Sequence, residues 1–226
     1  MAYLSDRDRE YLRKTLDELP RRVKLLVFSE PQSKLLIPGK EPCQYCQVVE
    51  EIVEELCSLS DKLEKTVYTD REAPEFATYG IDKVPALVLL DEDGTDYGIR
   101  FYGLPSGYEF GTLIEDITDL AHGKTRLSEQ TRQALQGLTR PVHIQVFVTP
   151  TCPYCPRAVR LAHQMAMESP QIRADMIEAN EFAELSNKYG VYGVPKTVIN
   201  EVEEVEGAVP EATFLSHVLA AVEAGE

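Results

Sequence analysis

The sequence has few basic residues and no long apolar run. Its 226 residues include 23 Lys and Arg against 38 Asp and Glu, which gives a formal net charge of -15. A nucleic-acid surface needs clustered Lys and Arg to neutralise phosphates, so this composition argues against that class and favours protein partners. No apolar stretch approaches the roughly 18 residues of a membrane span, and residues 1–10 do not resemble a secretory signal. We therefore expect a soluble, cytoplasmic protein with no membrane partner.

Cysteine is also scarce, with five in the chain. Four of them form two Cys-x-x-Cys motifs, Cys43–Cys46 and Cys152–Cys155. Paired cysteines in a reducing compartment are more often catalytic or metal-binding than structural. The fifth, Cys57, falls close to the apolar stripe of a helical pattern, which predicts a small buried residue without a redox role.

Each Cys-x-x-Cys motif is followed by the pattern Tyr-Gly-x-x-x-Val-Pro. The first cysteine lies 42 residues before Pro85 in one half and 43 residues before Pro195 in the other. An apolar run of strand length precedes each motif and a helical pattern follows it, which is the layout of a thioredoxin-like dithiol site. The repetition predicts two units, over residues 1–122 and 123–226.

Both halves show the same order of predicted elements: a helix, a strand, the dithiol, a second helix, a second strand, a hairpin and a closing helix. Ser5 and Ser128 are the predicted N-caps of the opening helices. The helices after the dithiols are predicted over residues 46–65 and 155–168. This order predicts an α/β fold of two tandem thioredoxin-fold units, each a central mixed sheet flanked by helices.

The dithiols need a thiolate to attack a disulfide. Cys43 and Cys152 precede predicted helices, whose free N–H groups and dipole stabilise a negative sulfur, so we predict that they are the attacking thiols. Pro153 suits the first helical position. Cys46 and Cys155 are then the resolving thiols, which attack the mixed disulfide and release the substrate.

The two Val-Pro pairs form the second part of each predicted site. A proline before a strand is ordinarily only a strand-entry residue, but the matched intervals favour a functional position for Pro85 and Pro195. In the thioredoxin-like layout such a proline is cis and faces the dithiol. Val84 and Val194 would then offer their backbone to an extended substrate segment.

Other candidate residues lie around the dithiols. Tyr45 and Tyr154 are predicted to flank the sulfurs as exposed apolar surface for docking substrate. Asp70 and Glu178 lie near the ends of the second strands, where they are candidate proton acceptors or simply exposed strand-end carboxylates. Neither first strand carries the buried Asp that thioredoxins use, so the acid-base partner stays open. None of the four histidines forms a spaced pair with a dithiol, and no metal site is expected.

With these motifs the chain resembles the protein disulfide oxidoreductases of thermophilic archaea and bacteria, which are glutaredoxin-like and related to protein disulfide isomerase. The resemblance covers essentially the whole length and is most specific over residues 147–156, where Cys-Pro-Tyr-Cys is also the glutaredoxin motif. It implies oxidation, reduction and isomerisation of protein disulfides in a thermophile. It also implies that no bound cofactor is used beyond the redox-active disulfides, and that an NADPH-dependent thioredoxin reductase reduces the protein.

Two other functions are open. A dedicated dithiol electron carrier, serving a peroxidase or a reductase, would use the same residues. A four-thiolate zinc protein would need the two pairs to converge, although each is matched to its own Val-Pro more than 100 residues from the other. Within the redox interpretation the sites are not equal, because the long segment 30–42 before the first dithiol is expected to cover or reposition it. We expect the second dithiol to carry most of the activity.

The assignment of attacking thiols predicts a labelling order. Alkylation of the reduced protein near neutral pH should modify Cys43 and Cys152 much faster than the remaining three cysteines, because only a thiolate reacts rapidly. Mass spectrometry of peptides from timed samples measures the order. Faster labelling of Cys46 or Cys155 would reverse the assignment.

Overall fold

The computed structural model describes residues 3–31 and 42–224. Most of the segment 30–42 before the first dithiol lies outside the described residues. Its effect on that dithiol therefore stays a prediction.

The first half has four helices and four strands in the described residues. They are α1 (Asp6–Asp17), β1 (Val23–Phe28), α2 (Cys46–Cys57), β2 (Leu63–Tyr68), α3 (Pro74–Thr78), β3 (Ala86–Asp91), β4 (Asp96–Tyr102) and α4 (Tyr108–His122).

The second half repeats this order. Its elements are α5 (Glu129–Gln136), β5 (Val142–Val148), α6 (Cys155–Glu168), β6 (Ile172–Glu178), α7 (Ala183–Lys188), β7 (Lys196–Ile199), β8 (Glu203–Glu206) and α8 (Glu211–Glu223). None of the helices in residues 3–31 and 42–224 is long and apolar enough to cross a membrane.

Local sequence explains where the opening helices begin. The Ser5 side chain accepts a hydrogen bond from the N–H of Asp8, and the Ser128 side chain accepts one from the N–H of Thr131. Both serines are therefore N-caps, as predicted, and each satisfies one of the free N–H groups of a first helical turn.

One helix is shorter than the sequence pattern indicates. The helix predicted over 46–65 ends at Cys57, and its last three residues belong to β2. The prediction was wrong because Leu63 pairs with Val23 of β1, and the N–H of Val23 donates to the carbonyl of Lys62. Pairing with a buried strand satisfies this backbone, so local helical periodicity does not decide its conformation.

All eight strands form one mixed sheet in the order β2-β1-β3-β4-β6-β5-β7-β8. Within each half the first two strands are parallel, and the first strand of the hairpin that follows pairs antiparallel with the first strand of that half. The two predicted mixed sheets are present, but they are continuous. Residues 99–102 of β4 pair in parallel with residues 174–177 of β6 and so join the halves.

Helices α4 and α6 pack together across the junction between the halves, and they enclose a charged cluster. The guanidinium of Arg160 contacts the carboxylates of Asp116 and Asp119, while His163 Nδ1 lies 2.6 Å from Asp116 Oδ2. Arg160, Asp116 and Asp119 are each at most 7% exposed. A buried ion pair is stable only when its partners stay together, so the cluster fixes α4 of the first half on α6 of the second.

Candidate active site

The first dithiol lies at the start of α2. Cys43 and Cys46 form a disulfide with their sulfur atoms 2.03 Å apart. Cys43 is half-buried, whereas Cys46 is only 1% exposed. The N–H of Cys43 donates a 2.7 Å hydrogen bond to Glu30 Oε1, which places a carboxylate beside this dithiol.

The second dithiol lies at the start of α6. Cys152 and Cys155 form a disulfide with their Cα atoms 5.5 Å apart. The N–H of Cys155 donates to Cys152 Sγ at 3.1 Å, and the same sulfur lies 3.6 Å from the carbonyl oxygen of Val194. Pro153 lies in the turn before α6, so its predicted helical position was wrong, and Pro156 is the proline of the first helical turn.

This geometry resembles an N-cap in which sulfur replaces oxygen. A free N–H at a helix start stabilises a negative atom, and the helix dipole acts in the same direction. After reduction, the Cys152 sulfur is thus placed where a thiolate is favoured. The 0% exposure of Cys155 leaves Cys152, at 8%, as the more accessible sulfur of the pair.

Both Val-Pro peptide bonds are cis, as predicted. The carbonyl of Pro85 accepts a hydrogen bond from the N–H of Gly103 at 3.0 Å, and that of Pro195 accepts one from Gly207 at 2.8 Å. The two loops are therefore anchored in the same way. In the second half this anchoring holds Val194 against the Cys152 sulfur.

The tyrosines of the two motifs differ in exposure. Tyr45 precedes α2 and is half-buried, while Tyr154 precedes α6 and is 63% exposed. A third tyrosine, Tyr192, is completely exposed two residues before Val194. Sequence reasoning missed Tyr192, although its place inside the repeated Tyr-Gly-x-x-x-Val-Pro pattern was a usable signal.

Neither carboxylate proposed from the strand ends has a described contact with a sulfur. Asp70 is exposed, and its Oδ1 accepts from the N–H of Glu72 at 3.0 Å. Glu178 is 4% exposed and accepts from the side chain of Asn180 and the N–H of Glu181, both at 2.7 Å. The alternative of an exposed strand-end carboxylate was therefore wrong for Glu178. Both carboxylates hold turns, and their role as proton acceptors stays a prediction.

A different carboxylate, Glu109 in the first turn of α4, is buried. It is 1% exposed, and neither of its oxygens has a hydrogen-bond partner among the described residues. Burial raises the pKa of Glu109 to about 7; the nearby Thr112 hydroxyl partly offsets that rise, and the charge of Asp116 adds to it. A carboxyl with this pKa exchanges a proton near neutral pH.

The register of the two helices puts Glu109 at the level of the start of α6. The start of α4 contacts the loop before Cys152, because the N–H of Tyr108 donates to the carbonyl of Pro150 at 3.1 Å. Further along, Asp116 contacts His163. The helices thus run in parallel. On α4, Glu109 lies about two turns before Asp116. On α6, Pro156, the residue after Cys155, lies about two turns before His163.

A glycine makes this close approach possible. Gly107 has a φ of 59°, and a Cβ there would lie 2.1 Å from the Pro150 carbonyl oxygen. Any side chain at this position would push α4 away from the loop that leads to Cys152.

The sequence contained a signal for Glu109 that was not used. Helix α4 carries polar residues at 109, 112, 116 and 119, which is the spacing of one helical stripe. Such a stripe normally faces solvent. Here the stripe is buried because it faces Arg160 and His163, which lie on one side of α6 in the second half.

The fifth cysteine belongs to neither dithiol. Cys57 is a free, half-buried thiol, less buried than predicted, and burial raises its pKa to about 11. It is therefore protonated at neutral pH. Within residues 3–31 and 42–224 no group of three or more His, Cys, Asp or Glu residues is arranged to hold a metal ion.

The family model of the thioredoxin domain matches the chain twice, over residues 34–115 and 142–220. The chain belongs to the thioredoxin domain family. Among solved structures, the protein disulfide oxidoreductase from Aeropyrum pernix is similar, with 31% identity and a TM-score of 0.86 over 99% of this chain and 96% of that one. The F subunit of alkyl hydroperoxide reductase from Enterococcus faecalis has 25% identity and a TM-score of 0.85 over 96% of this chain and 100% of that chain.

Curated relatives include the F subunit of alkyl hydroperoxide reductase of Staphylococcus epidermidis, which is 24% identical over 178 residues, or 79% of this chain and 32% of that protein. The corresponding protein of Pseudomonas aeruginosa is 24% identical over 150 residues, or 66% of this chain and 26% of that protein. The match spans about a third or less of the length of these relatives. The chain is thus a thioredoxin-fold redox protein with two dithiol sites, similar to a protein disulfide oxidoreductase and to part of the F subunit of alkyl hydroperoxide reductase.

The buried Glu109 predicts a pH dependence of stability. Its carboxyl titrates near pH 4.3 in an unfolded chain but at about 7 when folded, so between these values the folded state binds more protons. This carboxyl therefore lowers the free energy of unfolding as pH rises from the unfolded pKa through the folded pKa of about 7. Glu109→Gln should remove that loss, so that the variant gains stability over the parent at the higher pH.

Urea unfolding of the oxidised protein at pH 5, 6, 7 and 8 measures the difference. Glu92→Gln, which changes an exposed carboxyl, is the matched control. Parallel pH curves for the parent and Glu109→Gln would contradict the prediction.

Proposed function

We propose that this protein is a thiol-disulfide oxidoreductase that reduces, oxidises and isomerises protein disulfides through both dithiols, one in each of the units 1–122 and 123–226. The observation that carries the proposal is the second site, where the Cys152 sulfur accepts the N–H of Cys155 and lies beside the carbonyl of Val194. One sulfur is favoured as a thiolate, and the backbone of Val194 lies next to it, where an extended segment could pair with it.

The proposed reduction transfers two electrons in two exchanges. The Cys152 thiolate attacks one sulfur of a protein disulfide, forms a mixed disulfide and expels the other substrate sulfur as a thiolate. Cys155 then loses its proton and attacks the Cys152 sulfur, which releases the second substrate thiolate and forms the Cys152–Cys155 disulfide. The dithiol loses two electrons, which the substrate gains, and the one proton that Cys155 loses passes to a base; the two released substrate thiolates then take up protons from water. Cys43 and Cys46 take the same roles at the first site.

Glu109 is the proposed proton acceptor of the second site. Cys155 is completely buried, so its proton needs a carrier inside the protein. The helix register places Glu109 of the first half beside the start of α6, and its pKa of about 7 lets it accept and release a proton near neutral pH. The second dithiol would then depend on a residue of the other unit.

The charges around the dithiols favour the second site as the more active one. Glu30 lies beside Cys43, and a negative charge near a sulfur disfavours its thiolate. Arg71 lies 3.7 Å from the other Glu30 oxygen and is 40% exposed, so it offsets this effect only in part. Glu30 lies seven residues after Val23, the first residue of β1. The residue at the same interval after Val142, the first residue of β5, is Thr149, which is neutral. Cys152 therefore forms a thiolate more readily than Cys43.

The electron-carrier function is the second candidate, and the similarity to the F subunit of alkyl hydroperoxide reductase supports it. In that function a reductase passes electrons to the dithiols, and a peroxide-reducing partner accepts them. An NADPH-dependent thioredoxin reductase is the proposed electron donor in either function. Similarity to the Aeropyrum pernix oxidoreductase supports the broader action on protein disulfides. The cytoplasmic, thermophilic setting expected from the sequence stays a prediction.

Insulin reduction with dithiothreitol tests the function and the order of the two sites. Cys43→Ser/Cys46→Ser should retain most of the activity of the parent, whereas Cys152→Ser/Cys155→Ser should lose most of it, because the second site stabilises its thiolate better. Turbidity from the precipitating insulin chain is the measurement. Absence of insulin reduction by the parent contradicts the function, while the reverse order of the variants contradicts only the argument from charge.

The role of Glu109 has its own test in the Cys43→Ser/Cys46→Ser background. Glu109→Gln should slow insulin reduction about 10-fold or more at pH 7, because general acid-base groups contribute roughly 10²–10⁴-fold. It should also remove the inflection near pH 7 from the rate profile. A rate that falls equally at every pH, with the inflection kept, would indicate a structural effect only.

A further inference from the structure

A groove of about 410 Å³ opens beside the second dithiol. Its walls are the loops after β5 and β6, helix α7 and the loop before Pro195. Val194 belongs both to this wall and to the surroundings of the sulfur, since its carbonyl oxygen lies 3.6 Å from Cys152 Sγ. A segment that is disulfide-bonded to Cys152 can therefore pass over Val194 into the groove.

The groove is uncharged. Its ten lining residues, all in the described part of the chain, include no acidic or basic side chain. Its polar side chains are neutral, as in Thr149, Asn180 and Asn187. Tyr192 lines the groove and is 100% exposed, so its ring is not packed against the part of the chain that the structure describes. Tyrosine is enriched at the energetic centres of protein interfaces because it offers large contact area at low entropic cost.

The first site differs at the corresponding loop. At an interval of 110 residues, Asp82-Lys83 stands where the second half has Tyr192-Gly193. Lys83 Nζ lies 2.6 Å from Asp82 Oδ1 and 3.9 Å from the centre of the Tyr102 ring. The first loop thus presents a charged pair that is already engaged, and the second presents an unengaged aromatic ring.

Distances along an extended chain connect Tyr192 to a bound segment. The Cα atoms of a disulfide are roughly 5.5–6 Å apart, and an extended strand advances about 3.3 Å per residue. The loop from Val194 back to Tyr192 is two residues long. A substrate residue one or two positions from the bonded cysteine therefore reaches about as far from Cys152 as this loop does. An apolar or aromatic side chain there meets the exposed ring, whereas a charged one loses water to a groove that offers no opposite charge.

We propose that Tyr192 is a specificity-determining residue of the second dithiol, and that it selects extended protein segments with an aromatic or apolar residue next to the reactive cysteine. This inference rests on the proposed action on protein disulfides. It adds that the two dithiols of the chain differ in the substrates they accept, because Asp82-Lys83 cannot make the same contact.

Single-turnover reduction of two disulfide-bonded peptides tests the proposal. The peptides differ only in the residues flanking the cysteine, Phe in one and Gly in the other, and carry a fluorophore and a quencher. The protein is the full chain with Cys43→Ser/Cys46→Ser, reduced and freed of reductant. We expect the Phe peptide to react several-fold faster than the Gly peptide. Tyr192→Ala and Tyr192→Asp should lower this ratio about fivefold, and Tyr192→Phe should keep it, because the ring makes the contact.

Tyr11→Ala, which removes another exposed tyrosine on α1, is the matched control and should keep both the rates and their ratio. An unchanged ratio in Tyr192→Ala, or equal rates for the two peptides with the parent, overturns the inference while the proposed function stands. If the parent reduces hydroxyethyl disulfide but neither peptide, nor insulin, the proposed function fails and the inference fails with it.

Discussion

The parallel pairing of β4 with β6 is the contact on which the rest of the structure depends. It merges two mixed sheets into one and brings the closing helix of the first half over the dithiol helix of the second. The buried contacts of Arg160 with Asp116 and Asp119 then fix the register of the two helices. Because the partners of this cluster come from different halves, neither half could bury these charges by itself.

This junction makes a repeated sequence into an asymmetric molecule. The two dithiols have the same local chemistry: a helix start, a buried second cysteine and a cis-proline loop anchored to a glycine. Among residues 3–31 and 42–224, helix α4 of the first half contacts the loop before the second dithiol, and the carboxylate of Glu30 accepts the N–H of Cys43 at the first. Duplicated sites can diverge through such neighbours while the dithiol motif itself is kept.

The asymmetry also bears on the two candidate functions. A carrier that receives electrons at one site and delivers them at another benefits from dithiols with different thiolate stability, and so does a catalyst that handles varied protein disulfides. The charged loop of the first half and the aromatic loop of the second are compatible with both. The two candidate functions differ in the protein that reacts with the dithiols. The exposed Tyr192 is the feature by which we propose that a segment of that protein is selected.

The sequence by itself determined the local features. The dithiols, the Val-Pro pairs, the serine N-caps and the two-fold repeat follow from residue type and spacing, because each depends on contacts within a few residues or within one half. Only the tertiary structure decided the end of α2, the continuity of the sheet, the burial of Glu178 and the burial of Glu109. These features depend on pairing and packing between residues that are far apart in the chain. An acidic residue in a first helical turn, such as Glu109, suits a solvent-exposed helix as well as a buried one, so its sequence position does not reveal its burial.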